Sequence, residues 1–100
     1  MPSATASLGE TLIAKSDATV VVEGNQYFPP QALQDEGLFE KSETHTNCPW
    51  KGLASYYNLR LPDGKVIPDA VWYYPDPKPA AAEIKDYFAF YKNKVDVKLQ

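Results

Sequence analysis

The chemistry-bearing side chains of this chain are gathered into Thr46-Asn47-Cys48-Pro49-Trp50-Lys51-Gly52-Leu53-Ala54-Ser55-Tyr56-Tyr57 and, downstream, Val71-Trp72-Tyr73-Tyr74-Pro75. Together they hold the only Cys, both Trp, four of the seven Tyr and one Lys. Aromatic side chains offer large apolar faces, and Tyr and Trp keep a polar tip that can orient a ligand. Trp50, Tyr56, Trp72 and Tyr74 are therefore candidate walls of a binding cleft, with Thr46, Cys48 and Lys51 as its polar groups. The same alternation also describes a packed β core, and periodicity alone favours that plainer reading.

Two of these residues could do covalent chemistry. Cys48 is a candidate nucleophile, because a nearby histidine or cation favours the thiolate, and His45 and Lys51 each lie three residues away. A lone cysteine is more often a small buried hydrophobe. Lys51 could pair with a carboxylate or phosphate or lie over an aromatic face, or it could simply snorkel along Trp50. His45, Cys48, Glu40 and Glu43 lack a recognisable metal-ligand spacing, so no metal or cofactor is expected. Nucleotide transfer calls for a glycine-rich phosphate loop or paired acidic metal ligands, and Asp69 with Asp76 is neither.

The elements that must position these residues read as strands. One hundred residues with 44% hydrophobic and 13% aromatic content can enclose one core, so a single domain is expected. Nine prolines work against long helices, while Tyr, Val, Phe and Trp suit pleated surfaces, giving a mainly β chain with one or two short helices. Residues 1–9 are small and polar and read as a loose N-terminus ahead of a domain over 10–100. Thr11–Lys15 and Thr19–Glu23 read as a first hairpin, and Pro30–Gln34 as a short helix. Leu38–Ser42 reads as a strand, with Glu43–Asn47 as a polar loop leading into a shaped turn at Cys48–Gly52.

Leu53–Leu61 alternates Leu53, Ser55, Tyr57, Leu59 and Leu61 against Ala54, Tyr56, Asn58 and Arg60, and is the clearest strand. Pro62-Asp63-Gly64 then predicts a hairpin onto Lys65–Ile67. Ala70–Tyr74 follows as a strand, Pro75–Pro79 as an extended bridge and Ala80–Asp86 as a helix. A strand is expected before Tyr91, and Val95–Leu99 alternates as another.

The net charge of −3 supplies no positive field for phosphates, which argues against nucleic acid as a partner. No apolar run approaches the roughly 20 residues that span a bilayer, and the start of the chain does not read as a secretory signal. One cysteine forms no internal disulfide. A cytoplasmic protein is the expectation.

Tyr27-Phe28-Pro29, Thr46–Tyr57, Asp69–Pro77 and Ile84–Tyr91 occur in an order that resembles the domain-of-unknown-function family "four-two-seven", over roughly Glu10 to Val97. Members are sometimes labelled nucleotidyltransferases. The resemblance implies a fold similar to the β-tent group, with two antiparallel sheets meeting at an angle and a ligand groove between them. Relatives in that group often carry an apical zinc, for which one Cys and one His are too few. Family motifs match Thr46, Cys48, Lys51, Gly52, Tyr56, Trp72, Tyr74 and Pro75, which the resemblance places along the groove.

The expected function is a domain that binds a small molecule or modified side chain. The alternatives are an enzyme using Cys48 or Lys51 and a protein-interaction module using an exposed aromatic strand.

Overall fold

Two glycine-containing turns set the first half of the chain. A computed structural model describes residues 3–99, and in it Gly9 (φ +57°) turns β1 (Ala4–Leu8) antiparallel onto β2 (Thr11–Ser16). Glu23 and Gly24, both at positive φ, then close a two-residue turn joining β3 (Val20–Val22) to β4 (Asn25–Tyr27). Such a backbone matches the twist of a hairpin, and so β3 turns onto β4. The expected pairing of Thr11–Lys15 with Thr19–Glu23 is thereby replaced by two separate hairpins.

The expectation of a loose start also needs correction. Ala4, Thr5 and Ala6 are buried, and β1 lies between β2 and the C-terminal strand β9 (Asp96–Leu99) in a three-stranded sheet. Small side chains there let the sheet approach the core closely, which is why the segment lacks a conspicuous hydrophobic signature. Met1 and Pro2, the rest of the expected tail, lie outside the described residues.

The larger sheet has the order β5-β6-β7-β8, formed by Phe39–Cys48, Gly52–Arg60, Val66–Tyr73 and Phe88–Phe90. The hairpin at Pro62-Asp63-Gly64 forms as expected, with the Leu61 N–H donating to the Lys65 carbonyl at 2.8 Å. Glu43–Asn47, expected as a loop, belongs to β5. Thr44 and Thr46 are β-branched, and the Thr44, His45 and Thr46 side chains find partners along the sheet. The register shifts between Lys41 and His45, and the displaced segment is tied down by Ser42 and Thr44, whose hydroxyls donate to the Asp69 carboxylate at 2.5 and 2.8 Å. Asp69 adopts φ +49°, and its N–H donates to the Asn58 side-chain oxygen at 2.9 Å.

The mainly β expectation is met by three antiparallel sheets, the β3–β4 ribbon being an addition to the two foreseen. The helical content of the described residues is three 3₁₀ segments: Pro30–Ala32, Glu36–Leu38 and Pro79–Ile84. The last is two short turns joined by a kink at Ala81 (φ −121°, ψ +21°), and Ala81 and Ile84 are its buried residues.

The four-stranded sheet is covered on both faces. On one, Leu59, Val71, Phe88 and Phe90 pack with Ala4, Ala6, Ile13 and Ala14 of the three-stranded sheet. On the other, Ala54, Tyr56, Trp72 and Ala89 pack with Tyr27 of the ribbon and with Ala81 and Ile84.

Candidate functional site

The seven residues singled out from sequence gather on or around the ribbon-covered face. Three of the aromatic residues are inside it: Tyr74 is 4% exposed, Tyr56 7% and Trp72 9%. Their polar tips are used internally. The Trp72 indole N–H donates to the Tyr27 hydroxyl at 3.0 Å, and the two rings meet edge to face with centroids 6.2 Å apart. Tyr56 Oη shares one hydrogen bond with Thr46 Oγ1 at 2.8 Å and another with Tyr91 Oη at 3.3 Å. Tyr91 stacks parallel to Tyr56 and packs against Trp72 with centroids 4.6 Å apart. Burial, followed by the Tyr56 hydroxyl, pushes the Tyr91 phenol up to about 12.

Lys51 sits in the turn that joins β5 to β6 and is only 7% exposed. Its ammonium pairs with Glu23 from the β3–β4 turn and lies 5.4 Å from the Trp50 ring centroid and 5.5 Å from that of Tyr74. Burial alone would push this ammonium down, but the hydrogen bond to Glu23 and the Tyr27 and Tyr74 oxygens outweigh it and hold the pKa above the usual lysine value. The same hydrogen bond keeps Glu23 below the usual carboxylate value. Burial raises the Tyr74 phenol to about 12 against the opposing pull of Lys51. A lysine held charged in this way is an anchor; nucleophilic amines need the opposite shift.

The turn is fastened from the other side as well. Lys51 O accepts from the Lys78 N–H at 2.9 Å, and Lys78 Nζ donates to Pro49 O at 2.6 Å. Gly52, at φ +112°, lies so near Asp76–Lys78 that a Cβ there would stand 3.4 Å from Asp76 O and Lys78 N. Trp50 remains 41% exposed beside this joint.

Cys48 is half-buried at the edge of the same cluster. Residues 45–48 pair without interruption with residues 55–52, so His45 and Cys48, an odd number apart, project to opposite faces. His45 Nδ1 instead meets Ser55 Oγ at 3.2 Å. The histidine proposed from spacing to activate Cys48 is therefore on the wrong side of the strand. Among the described residues, no group of three or more His, Cys, Asp or Glu stands close enough to hold a metal.

The opposite face contains a feature that spacing did not reveal. A cavity of about 390 Å³ is lined by Pro30, Leu33, Glu36, Phe39, Lys41, Tyr57 and Phe88. Phe39, Tyr57 and Phe88 form its aromatic floor, with centroid separations of 5.8 to 6.0 Å, and Tyr73 stacks under Tyr57 at 4.8 Å. The segment carrying the first two 3₁₀ turns supplies one wall, and β5 supplies Phe39 and Lys41. Burial, with the Tyr73 hydroxyl and the Asp86 and Glu36 carboxylates, pushes the Tyr57 phenol up to about 12. None of the seven expected site residues lines this cavity. Alternation separates Tyr57 from Tyr56 correctly, but only pairing across strands brings Phe39 and Phe88 to it.

A second cavity of about 410 Å³ lies between hairpin tips, lined by residues including Gly9, Glu10, Asp63 and Lys65. It has no aromatic floor. No helix among the described residues is long and apolar enough to cross a membrane.

No curated protein matches the chain. Residues 3–100 match the family described as Domain of unknown function (DUF427), and the chain belongs to that family.

Proposed function

We propose that this is a cytoplasmic domain that binds a small molecule or modified side chain, and that its ligand occupies the cavity floored by Phe39, Tyr57 and Phe88. The observation that carries this reading is the cavity itself. At about 390 Å³ it falls in the size range of small-ligand sites, and it joins an apolar aromatic floor to two charged side chains, Glu36 and Lys41. The seven residues clustered on the other face then act as the frame. They fix the β5–β6 hairpin and the ribbon, leaving the cavity side of the sheet as the adaptable one.

A magnetic-resonance screen of single-ring compounds against labelled protein tests this. Binding is expected to shift the signals of Phe39, Tyr57 and Phe88 and leave those of Tyr56 and Trp72 largely unmoved. Leu33→Trp, which fills the cavity from its wall, should abolish those shifts. Perturbations centred on Trp50 and Trp72 instead would move the site to the other face, and a silent screen would end the binding reading.

A further inference from the structure

The two charges at the cavity differ from Glu40, the residue before Lys41 on β5. Glu40 is engaged by Arg60 through two hydrogen bonds, at 2.7 and 3.1 Å. Glu36 and Lys41, by contrast, make no ion pair or side-chain hydrogen bond among the described residues, although they line the same space and carry opposite signs. They do not meet each other. Glu36 approaches from the 3₁₀ turn Glu36–Leu38, while Lys41 stands on β5 directly across from Tyr57 in the strand register. Three rings, Phe39, Tyr57 and Phe88, line the same space, and their negative faces favour a cation while their area favours an apolar body.

Charge complementarity selects among ligands more strongly than it binds them, because a ligand lacking one charge leaves its protein partner to solvent while a ligand of the wrong sign is repelled. A purely cationic compound would suit Glu36 and the rings but bring a positive charge near Lys41. A purely anionic one would suit Lys41 but meet Glu36 and the ring faces. A compound with both groups offers a partner to each charge.

We propose that the cavity selects a zwitterionic compound with a compact apolar or aromatic body, its amine directed to Glu36 and its acidic group to Lys41. This rests on the cavity being the binding site. It narrows the ligand class to amino-acid-like molecules, free or at a chain terminus.

Calorimetric titration at neutral pH with phenylalanine, 2-phenylethylamine and 3-phenylpropionate separates the contributions, since the three share a ring and differ in charge. Phenylalanine is expected to bind at least about tenfold tighter than either singly charged compound. Glu36→Gln should erase its advantage over phenylpropionate, and Lys41→Gln its advantage over phenylethylamine. Both side chains are exposed, so neither variant should disturb folding. Equal affinity for all three compounds, or unchanged preferences in both variants, overturns charge selection while leaving the cavity as a site. Preference for the amine alone overturns the zwitterion in favour of a cation. Absence of binding by all three, together with a silent ring-compound screen, removes the cavity reading and this inference with it.

Discussion

The two faces of the four-stranded sheet have similar aromatic content and opposite finish. On the ribbon side, Tyr27, Tyr56, Trp72 and Tyr91 satisfy one another's polar tips, and Lys51 is neutralised by Glu23. No buried side-chain nitrogen or oxygen among the described residues lacks a partner. On the other side, Phe39, Tyr57, Tyr73 and Phe88 pack edge to face, stacked or tilted, with Phe39, Tyr57 and Tyr73 only half-buried and two unpaired charges beside them. An aromatic cluster therefore says little about binding until its hydrogen bonds are followed. A cluster whose polar atoms close on themselves has little left to offer a ligand, and one bordered by unengaged charges does.

The largest test of this contrast compares Trp72→Ala with Tyr57→Ala in denaturant unfolding. Trp72 is buried, packs against two rings and makes a hydrogen bond, so its truncation should cost about 3–5 kcal/mol. Tyr57 is half-buried, and its loss should cost roughly 1–2 kcal/mol while abolishing ligand binding. Equal costs would mean that the cavity face is as fully built into the core as the ribbon face.

Much of this organisation was readable from the sequence. The strand over Leu53–Leu61, the Pro62-Asp63-Gly64 hairpin and the alternation through Trp72 follow from local period and turn chemistry, which is information carried by neighbours in the chain. What escaped depends on distant partners. Ala4–Leu8 looks featureless because small residues are buried there by contact with β2 and β9. Glu43–Asn47 looks like a loop because Ser55, Tyr56 and Asp69, which satisfy its neighbouring polar groups, lie between 10 and 27 positions away. The candidate site was legible as an aromatic cluster, yet whether Lys51 faces a ligand or Glu23 is decided by a turn 28 residues earlier.

Alkaline titration probes both faces together. Tyr57, Tyr74 and Tyr91 have folded-state values near 12 against an ordinary 10.0. The unfolded chain therefore releases these protons first, and between about pH 10 and 12 it binds fewer protons than the folded one. Stability is fully present below 10 and falls as pH rises through 12. The tyrosinate absorbance contributed by these three should rise late and together with the loss of tertiary signal. Tyr74→Phe and Tyr57→Phe should each flatten the decline, from the closed and the open face respectively. At the acid end Glu23 has the reverse sign: its contribution is present above 4.5 and is lost as pH falls through its lowered folded value.

Asp69 tests how the sheet end is held between the two faces. Asp69→Ala removes the acceptor of Ser42 and Thr44 and places an alanine at φ +49°, for an expected cost of about 1–3 kcal/mol. Asp69→Gly loses the same hydrogen bonds but tolerates the backbone, so it should fall short of alanine's cost by up to about 1 kcal/mol. If glycine costs as much as alanine, the positive φ is unimportant and the hydroxyl clamp accounts for the whole effect.

The smallest effect is expected where β5 and β6 run beyond the aromatic cluster. Glu40 and Arg60 form a two-point pair there, N–O distances 2.7 and 3.1 Å, and both side chains are about half exposed. The Arg60 and Asn58 hydrogen bonds hold Glu40 below its usual carboxylate value. Solvent screening nevertheless leaves such an exposed pair with little effect on stability, and added salt should shrink it further. Arg60→Ala should therefore change the denaturation midpoint slightly and leave ligand binding at Tyr57 intact. A cost like that of Trp72→Ala would extend the closed face to the end of the sheet. A loss of binding would join Glu40, one residue before Lys41, to the cavity's own charges.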